Sequence, residues 1–389
     1  MTLTVGILAG ESSGDTLGHG LMMEIRRRRP DVRFVGIGGP RMLAEGLESL
    51  VSIERLSMNG FIDPLRRLPE LVGILRLLLS RFAADRPDVF VGVDFNVFNL
   101  LLERRLKRRG VPTVHYVSPS VYAWRRGRIR RIARAADMVL ALYPFEPALY
   151  ARTPVRAVYV GHPLADAIDL QAGSEPARRQ ARRALGMPDG ELVVALLPGS
   201  RMSEVQLMGD VFLAAAVRLQ ALLPAVRFLV PCVRPAIGAW LADARARYAR
   251  LPLDDYSGDA RLALTACDVA LVKSGTSTLE AMLLRRPMVV SYRLGWATYQ
   301  LVRRLLRTPY VALPNILAGR ELVPELLQEQ ATPAALADAV RRELDKSRTD
   351  PEYLREFERL HLHLRQHADA RAAEAVLGLV SGPAGTVNP

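Results

Sequence analysis

Two short segments in the second half of the chain carry residue types suited to holding phosphate. LPGSRMSEV, at 197–205, follows an apolar run of strand length. Pro198 and Gly199 turn the chain, Ser200 can cap a helix, and Arg201 stands where that helix begins. A guanidinium beside a helix N-terminus clamps a diphosphate well: its planar fork donates paired hydrogen bonds, and the first helical N–H groups lack intrahelical partners. KSGTSTLEAML, at 273–283, repeats the pattern, with Gly275 among the hydroxyls of Ser274, Thr276, Ser277 and Thr278. Glu280 lies further along that helix, where a carboxylate can accept both ribose hydroxyls. Two anion-type turns and one acid in the same half describe a nucleotide diphosphate. LPNILAGRELVPELLQ, at 313–328, adds Asn315, Gly319, Glu325 and Gln328, more polar and turn-forming residues than a plain connector needs. In the first half AGESSGD, at 9–15, brings Glu11, Ser13 and Asp15 to the start of a helix, with His19 one turn on. It matches neither the dinucleotide GxGxxG nor the Walker GxxxxGK pattern. Asp15 also reads as an ordinary helix cap, and Arg201 as a solvated residue behind one.

These motifs need strands to end on. Apolar runs at 3–9, 32–37, 88–93, 112–117, 138–142 and 156–160, then 192–197, 226–231, 268–272 and 287–291, alternate with helical periodicity. The predicted helices include 15–29, 65–84, 97–109, 203–222, 234–248 and 276–285. Strand–helix alternation means a parallel sheet with covered faces, and such sheets bind ligands beyond their strands' carboxyl ends. The expected fold class is α/β, with Rossmann-like domains at 1–165 and 181–350 and a hinge at 166–180. A last helix at 351–376 is a candidate to pack back on the first domain, and 377–389 is expected to fray.

The 389 residues carry a formal net charge of +13. Lysine occurs only at Lys107, Lys273 and Lys346, so 50 of the 53 basic residues are arginine. That bias weakens any argument from a single Arg, while the overall charge favours anionic partners. Cys232 and Cys267 make no disulfide framework or metal cluster, which fits a reducing compartment. The N-terminus lacks the basic region of a signal peptide, and no uncharged apolar run reaches the roughly 18 residues of a membrane span. His361, His363 and His367 do not read as a metal site, because an i, i+2 pair points to opposite sides of a helix. No Asp-x-Asp motif is present to hold a metal-bound diphosphate, so neither metal nor cofactor is expected. RRGRIRRIAR, at 125–134, lacks interleaved aromatics, and nucleic acid is not an expected partner. FIDPLRRLPELVGILRLLLSRF, at 61–82, mixes bulky apolar residues with arginines, as a bilayer-interface segment does; its ordinary reading is a sheet-covering helix.

AGESSGDTLG (9–18), GIGGPRM (36–42), HYVSPSVYAWRRGR (115–128), VGHPLAD (160–166), LPGSRMSEV, SGTSTLEAML and PNILAGRELVPELLQ together resemble the lipid-A-disaccharide synthase family from Ala9 to Gln328. The resemblance implies a GT-B fold, two Rossmann-like domains facing each other across a cleft. It also implies an inverting transfer from a UDP-2,3-diacylglucosamine donor to a 2,3-diacylglucosamine 1-phosphate acceptor. The product would be a β-1,6 disaccharide plus UDP, made at the cytoplasmic face of the inner membrane against an anionic lipid surface. An inverting transfer needs a general base for the acceptor hydroxyl. Asp94, at the end of a strand, is the first candidate, with Glu11, Asp15 and His19 as rivals and a helix cap as its ordinary role. Where the family shows D-A-P-D-F-N this chain reads Asp94-Phe95-Asn96-Val97-Phe98-Asn99. Without gaps Val97 replaces the second acid, as the spacing to His115 favours; with a three-residue gap Asp94-Phe95-Asn96 is itself the D-F-N, so either way one carboxylate is left. Tyr122 stands where the family commonly has Trp. Other enzymes of the fold, such as UDP-N-acetylglucosamine 2-epimerases, would not explain HYVSPSVYAW or PNILAGR. A UDP-glycolipid-binding paralogue without turnover is the reading from another class.

Overall fold

The computed structural model describes residues 2–56, 68–119, 127–295, 299–300 and 308–381. The chain forms two compact units, Met1–Asp166 together with Leu364–Pro389, and Ala167–His363. Tyr122, residues 61–67 of the segment 61–82 expected at a bilayer and the start of the Arg-rich run at 125–134 lie outside the described residues.

In the first unit the strands are β1 Thr4–Ala9, β2 Arg33–Ile37, β3 Leu47–Ser49, β4 Val89–Val93, β5 Thr113–Tyr116, β6 Met138–Ala141 and β7 Arg156–Tyr159. They form one parallel sheet in the order β3-β2-β1-β4-β5-β6-β7. The second unit holds β8 Leu192–Leu197, β9 Val226–Cys232, β10 Leu253–Ser257, β11 Val269–Lys273, β12 Met288–Tyr292 and β13 Glu325–Leu327. Their order is β10-β9-β8-β11-β12-β13, again parallel. Central strands such as Val89–Val93 and Val193–Leu197 are buried along their whole length, because helices cover both faces of the sheet. Each fully buried Val, Leu or Phe contributes about 1.5–3 kcal/mol relative to exposure.

All ten expected strands are present to within a residue or so. The three that periodicity missed, β3, β10 and β13, are edge strands; the fourth edge, β7, carries an apolar run and is among the ten. An edge strand needs no continuous apolar run, and Leu253-Asp254-Asp255-Tyr256-Ser257 has none.

The helix expected over 351–376 is two helices, Pro351–Leu364 and Ala368–Ser381. His367 breaks them with a φ of 56°. Asp166 then caps the second, accepting from the N–H groups of His367 at 2.9 Å and Ala368 at 2.6 Å. Ala372, Ala373 and Val376 of that last helix join the core beneath β1 and β4, so helical order runs past residue 377, where fraying was expected. The helix Met202–Leu222 has the length and composition to cross a membrane. Its Val205, Met208, Phe212, Leu213, Ala216 and Leu219 are core residues of the second unit, packed with β8 and β9.

Candidate functional sites at two strand-order reversals

In the first sheet the chain proceeds outward from β1 to β3, then starts again beside β1 with β4. Such a reversal opens a crevice beyond the carboxyl ends of the two neighbouring strands. β1 ends at Ala9 and delivers Glu11 and Ser13; β4 ends at Val93 and delivers Asp94. The Ser13 hydroxyl donates to Asp94 Oδ2 at 2.9 Å. Asp94 adopts a left-handed φ of 42°, a region Asp tolerates better than most residues, and its N–H donates to Tyr116 O at 3.0 Å. Burial raises the Asp94 carboxyl above its ordinary range; Ser13 opposes this, the Glu11 charge adds to it, and His115 opposes it. The helix Asn96–Lys107 starts from Phe95, so Asp94 is not its cap. Val97 points into solvent from the first turn.

Sequence reasoning passed over the groups behind Asp94. His115, on β5, is fully buried, with Nδ1 at 2.8 Å from Glu103 Oε1 and Nε2 at 3.1 Å from Asn96 Oδ1. Glu103 is also fully buried, and burial raises its carboxyl while His115 lowers it. A lone histidine in a strand has no spacing signal, and its partners lie on another element.

Asp15 and His19 go elsewhere. Asp15 is buried and accepts from the N–H groups of Gly39 at 2.8 Å, Arg41 at 3.1 Å and Met42 at 3.1 Å. It does cap a helix, but the helix is Pro40–Ala44 and not its own. His19 interacts with Asp369 of the last helix, whose carboxyl is pushed up to about 6 by burial and by the charges of Asp166 and Glu24. Beside the Asp15-bound loop, Gly39, Leu43, Leu50, Val51 and Ile53 line a cavity of about 310 Å³.

The second sheet reverses between β8 and β11. β8 runs into Pro198–Arg201, and β11 ends on Lys273, which leads into Ser274 and Gly275. Glu204 folds back over the first turn, Oε2 accepting from the N–H groups of Ser200 at 3.0 Å and Arg201 at 3.3 Å. Lys273 Nζ lies 2.9 Å from Glu204 Oε1 and 4.6 Å from the centre of the Tyr292 ring. Burial would raise the Glu204 carboxyl, but Lys273 and the two N–H groups bring it below its ordinary range. Gly199 has a φ of 144°, and a side chain there would collide with Glu204. The Arg201 side chain is exposed and makes no hydrogen bond or ion pair with any described residue.

At the second turn the helix Thr276–Leu283 begins from Gly275, with Gly275 and Thr276 exposed and Ser277 half-buried. Two of the four hydroxyls are already engaged: Ser274 donates to Val311 O at 3.2 Å and the buried Thr278 to Gly275 O at 2.8 Å. Glu280 is half-buried, 3.9 Å from Arg261, and its carboxylate accepts no hydrogen bond from described residues. Burial raises it and Arg261 lowers it.

The polar residues of 313–328 are occupied by groups of the segment itself and by neighbouring backbone. Asn315 is fully buried and donates to Val323 O at 2.9 Å and Glu325 Oε1 at 2.8 Å, while its oxygen accepts from Leu322 at 2.7 Å and Val323 at 2.9 Å. Glu325 caps the helix Leu313–Ala318 through the N–H groups of Val311 and Ala312, both at 2.9 Å. Gly319 ends that helix with a left-handed φ of 67°, and Gln328 accepts from the Leu294 N–H at 2.7 Å. These bonds fix a segment that packs on the helix Thr276–Leu283 and pairs with β12 through β13.

The family model for lipid-A-disaccharide synthetase matches residues 5–376. A lipid-A-disaccharide synthase of Pseudomonas aeruginosa (strain UCBPP-PA14) is 48% identical over 378 residues, covering 97% of this chain and 98% of the relative. That of Methylobacillus flagellatus is 46% identical over 381 residues, covering 97% and 99%. Among solved structures, the glycotransferase of kitacinnamycin superposes with a TM-score of 0.62 at 18% identity over 97% of this chain and 99% of that one, a likeness of fold. The two parallel sheets, the fold likeness and the near-complete family match agree: this chain belongs to the lipid-A-disaccharide synthetase family, glycosyltransferases of the GT-B fold.

Proposed function

We propose that this glycosyltransferase moves a 2,3-diacylglucosamine unit from UDP to the 6-hydroxyl of 2,3-diacylglucosamine 1-phosphate, with inversion. The observation that carries the reading is the family match across residues 5–376. The two strand-order reversals supply the residue roles. Asp94 takes the proton of the acceptor hydroxyl as its oxygen forms a bond to the anomeric carbon. The bond from that carbon to the diphosphate oxygen breaks, and its electron pair leaves with UDP. Glu11 and Ser13 flank Asp94, and the raised Asp94 carboxyl suits a base working near neutral pH. The cavity beside Gly39 offers room for part of the acceptor.

Of the two helix starts at the second reversal, the free one is that of Thr276–Leu283, because Glu204 fills the one at Ser200 and Arg201. The diphosphate therefore lies on Gly275, Thr276 and Ser277, with Arg201 and Lys273 as its cations. Lys273 joins the site through its placement by Glu204 and Tyr292. Glu280 takes the ribose hydroxyls. Asn315, Gly319, Glu325, Gln328, Ser274 and Thr278 shape the site through backbone bonds. A peripheral position on an anionic membrane surface, on the cytoplasmic face, agrees with the +13 charge and with Leu68, Val72, Arg76 and Leu77, which are exposed on the helix Leu68–Ala84. Ile74, Leu75, Leu78 and Phe82 of that helix are core residues and are not available to lipid.

Donors already aimed at a leaving diphosphate lower the barrier as its charge grows. Arg201→Ala is expected to weaken UDP binding by calorimetry and to cut turnover by roughly 10²-fold or more. Glu280→Ala is expected to weaken UDP binding chiefly. Wild-type UDP affinity in both variants would move the nucleotide site away from this turn.

A further inference from the structure

We propose that His115, clamped by Glu103, is a positioning residue for the Asp94 carboxylate, acting through Asn96. The inference rests on the reading of Asp94 as the base. Asp94 and Phe95 join β4 to the helix Asn96–Lys107 and belong to neither, so something must hold them and the helix start. β5 holds both ends: the Tyr116 carbonyl accepts the Asp94 N–H at 3.0 Å, and the adjacent His115 side chain holds Asn96 Oδ1 at 3.1 Å. A third anchor is Asn99, whose side-chain amide donates to Val93 O at 3.3 Å and to Leu8 O at 3.4 Å. Between the anchors, the Phe95 ring fills the space that Gly10 leaves by having no side chain.

The clamp is built with care for one atom. Glu103 reaches His115 only because position 92 is glycine; a Cβ there would occupy the place of Glu103 Oε1. His115 pairs with Gly92 across the sheet, which sets the imidazole under the start of the helix. An amide oxygen only accepts, so Nε2 carries a hydrogen toward Asn96 and a second proton lies between Nδ1 and Glu103. Burying an imidazole and a carboxyl side by side is a poor source of stability, since apolar groups of equal size do as well or better. The pair supplies orientation and a cationic influence instead. The charged groups facing Asp94 are Glu11, from the loop after β1, and His115, from β5; Ser13 adds its hydroxyl. Glu103 lies beyond His115, and its second oxygen has no partner among the described residues.

Glu103→Gln is the deciding variant. A carboxamide keeps the shape of the clamp and leaves His115 its hydrogen bond to Asn96, but removes the carboxylate that shares a proton with Nδ1. The variant is expected to fold, to bind UDP like wild type, and to move the acid limb of the kcat–pH profile to higher pH, because His115 no longer favours ionised Asp94. His115→Leu removes the anchor as well and is expected to lower kcat by up to roughly 10²-fold with KM little changed. An unmoved acid limb and unchanged kcat in Glu103→Gln, whatever happens to its Tm, would make the pair purely structural and overturn the proposal. Asp94→Asn is measured beside it. Near-normal turnover there overturns the base reading and this inference with it. A dead Asp94→Asn with an unmoved Glu103→Gln profile overturns this inference alone.

Discussion

At the scale of single residues, the proposed base is Asp94. Its carboxylate is held by Ser13, raised by burial and by Glu11, and makes no contribution to helix capping. Asp94→Asn preserves shape and hydrogen bonding to Ser13 and deletes only basicity. The expected result is a loss of roughly 10²–10⁴ in kcat with UDP affinity retained. Because burial raises the carboxyl, the wild-type kcat should fall on acidification at a pH above the ordinary Asp range, a limb that Asp94→Asn should lack. A surviving limb in that variant would point to Glu11. Asp94, Glu11, Ser13 and Arg201 are legible in the sequence as candidates because ligands sit beyond strand ends in α/β sheets. Lys273, His115 and Glu103 were not. Each depends on a partner from another element, Glu204 for Lys273 and β5 against the following helix for the dyad. No spacing along the chain encodes such a meeting.

At the scale of elements, several polar residues that look like ligand-binding groups prove to be fasteners. Asp15 ties the helix Ser12–Arg28 to the start of Pro40–Ala44, and Glu325 and Asn315 do the same for the loop before β13. A carboxylate that caps a distant helix is indistinguishable in sequence from one that caps its own, or from one that meets substrate. Asp15→Ala strips the partner from three backbone N–H groups around a buried oxygen pair. Its expected cost is roughly 3 kcal/mol, read as a lower denaturant midpoint, with UDP affinity unchanged. A variant as stable as wild type would show that water or the loop itself replaces those bonds. Central strands were legible because they are continuously apolar; edge strands β3, β10 and β13 were not, being short or charged.

At the scale of the whole molecule, the same arrangement occurs twice: a parallel sheet whose strand order reverses, with the informative residues at the reversal. One unit gathers acids and a buried imidazole around Asp94, the other gathers cations and a free helix end around Gly275. That division of charge is what a transfer from a diphosphate to a hydroxyl requires, a base for one partner and cations for the other. Asp94 is the single carboxylate in the turn 94–99, where Val97 stands on the first turn of the helix. The account therefore requires Asp94 with its supports to be sufficient for turnover. The direct test is mass spectrometry of the lipids formed when the purified protein is mixed with UDP-2,3-diacylglucosamine and 2,3-diacylglucosamine 1-phosphate. The predicted result is a tetraacyl disaccharide 1-phosphate, with one UDP released per disaccharide and none when the acceptor is left out. Recovery of both lipids unchanged, or UDP release with free diacylglucosamine and no disaccharide, would contradict it.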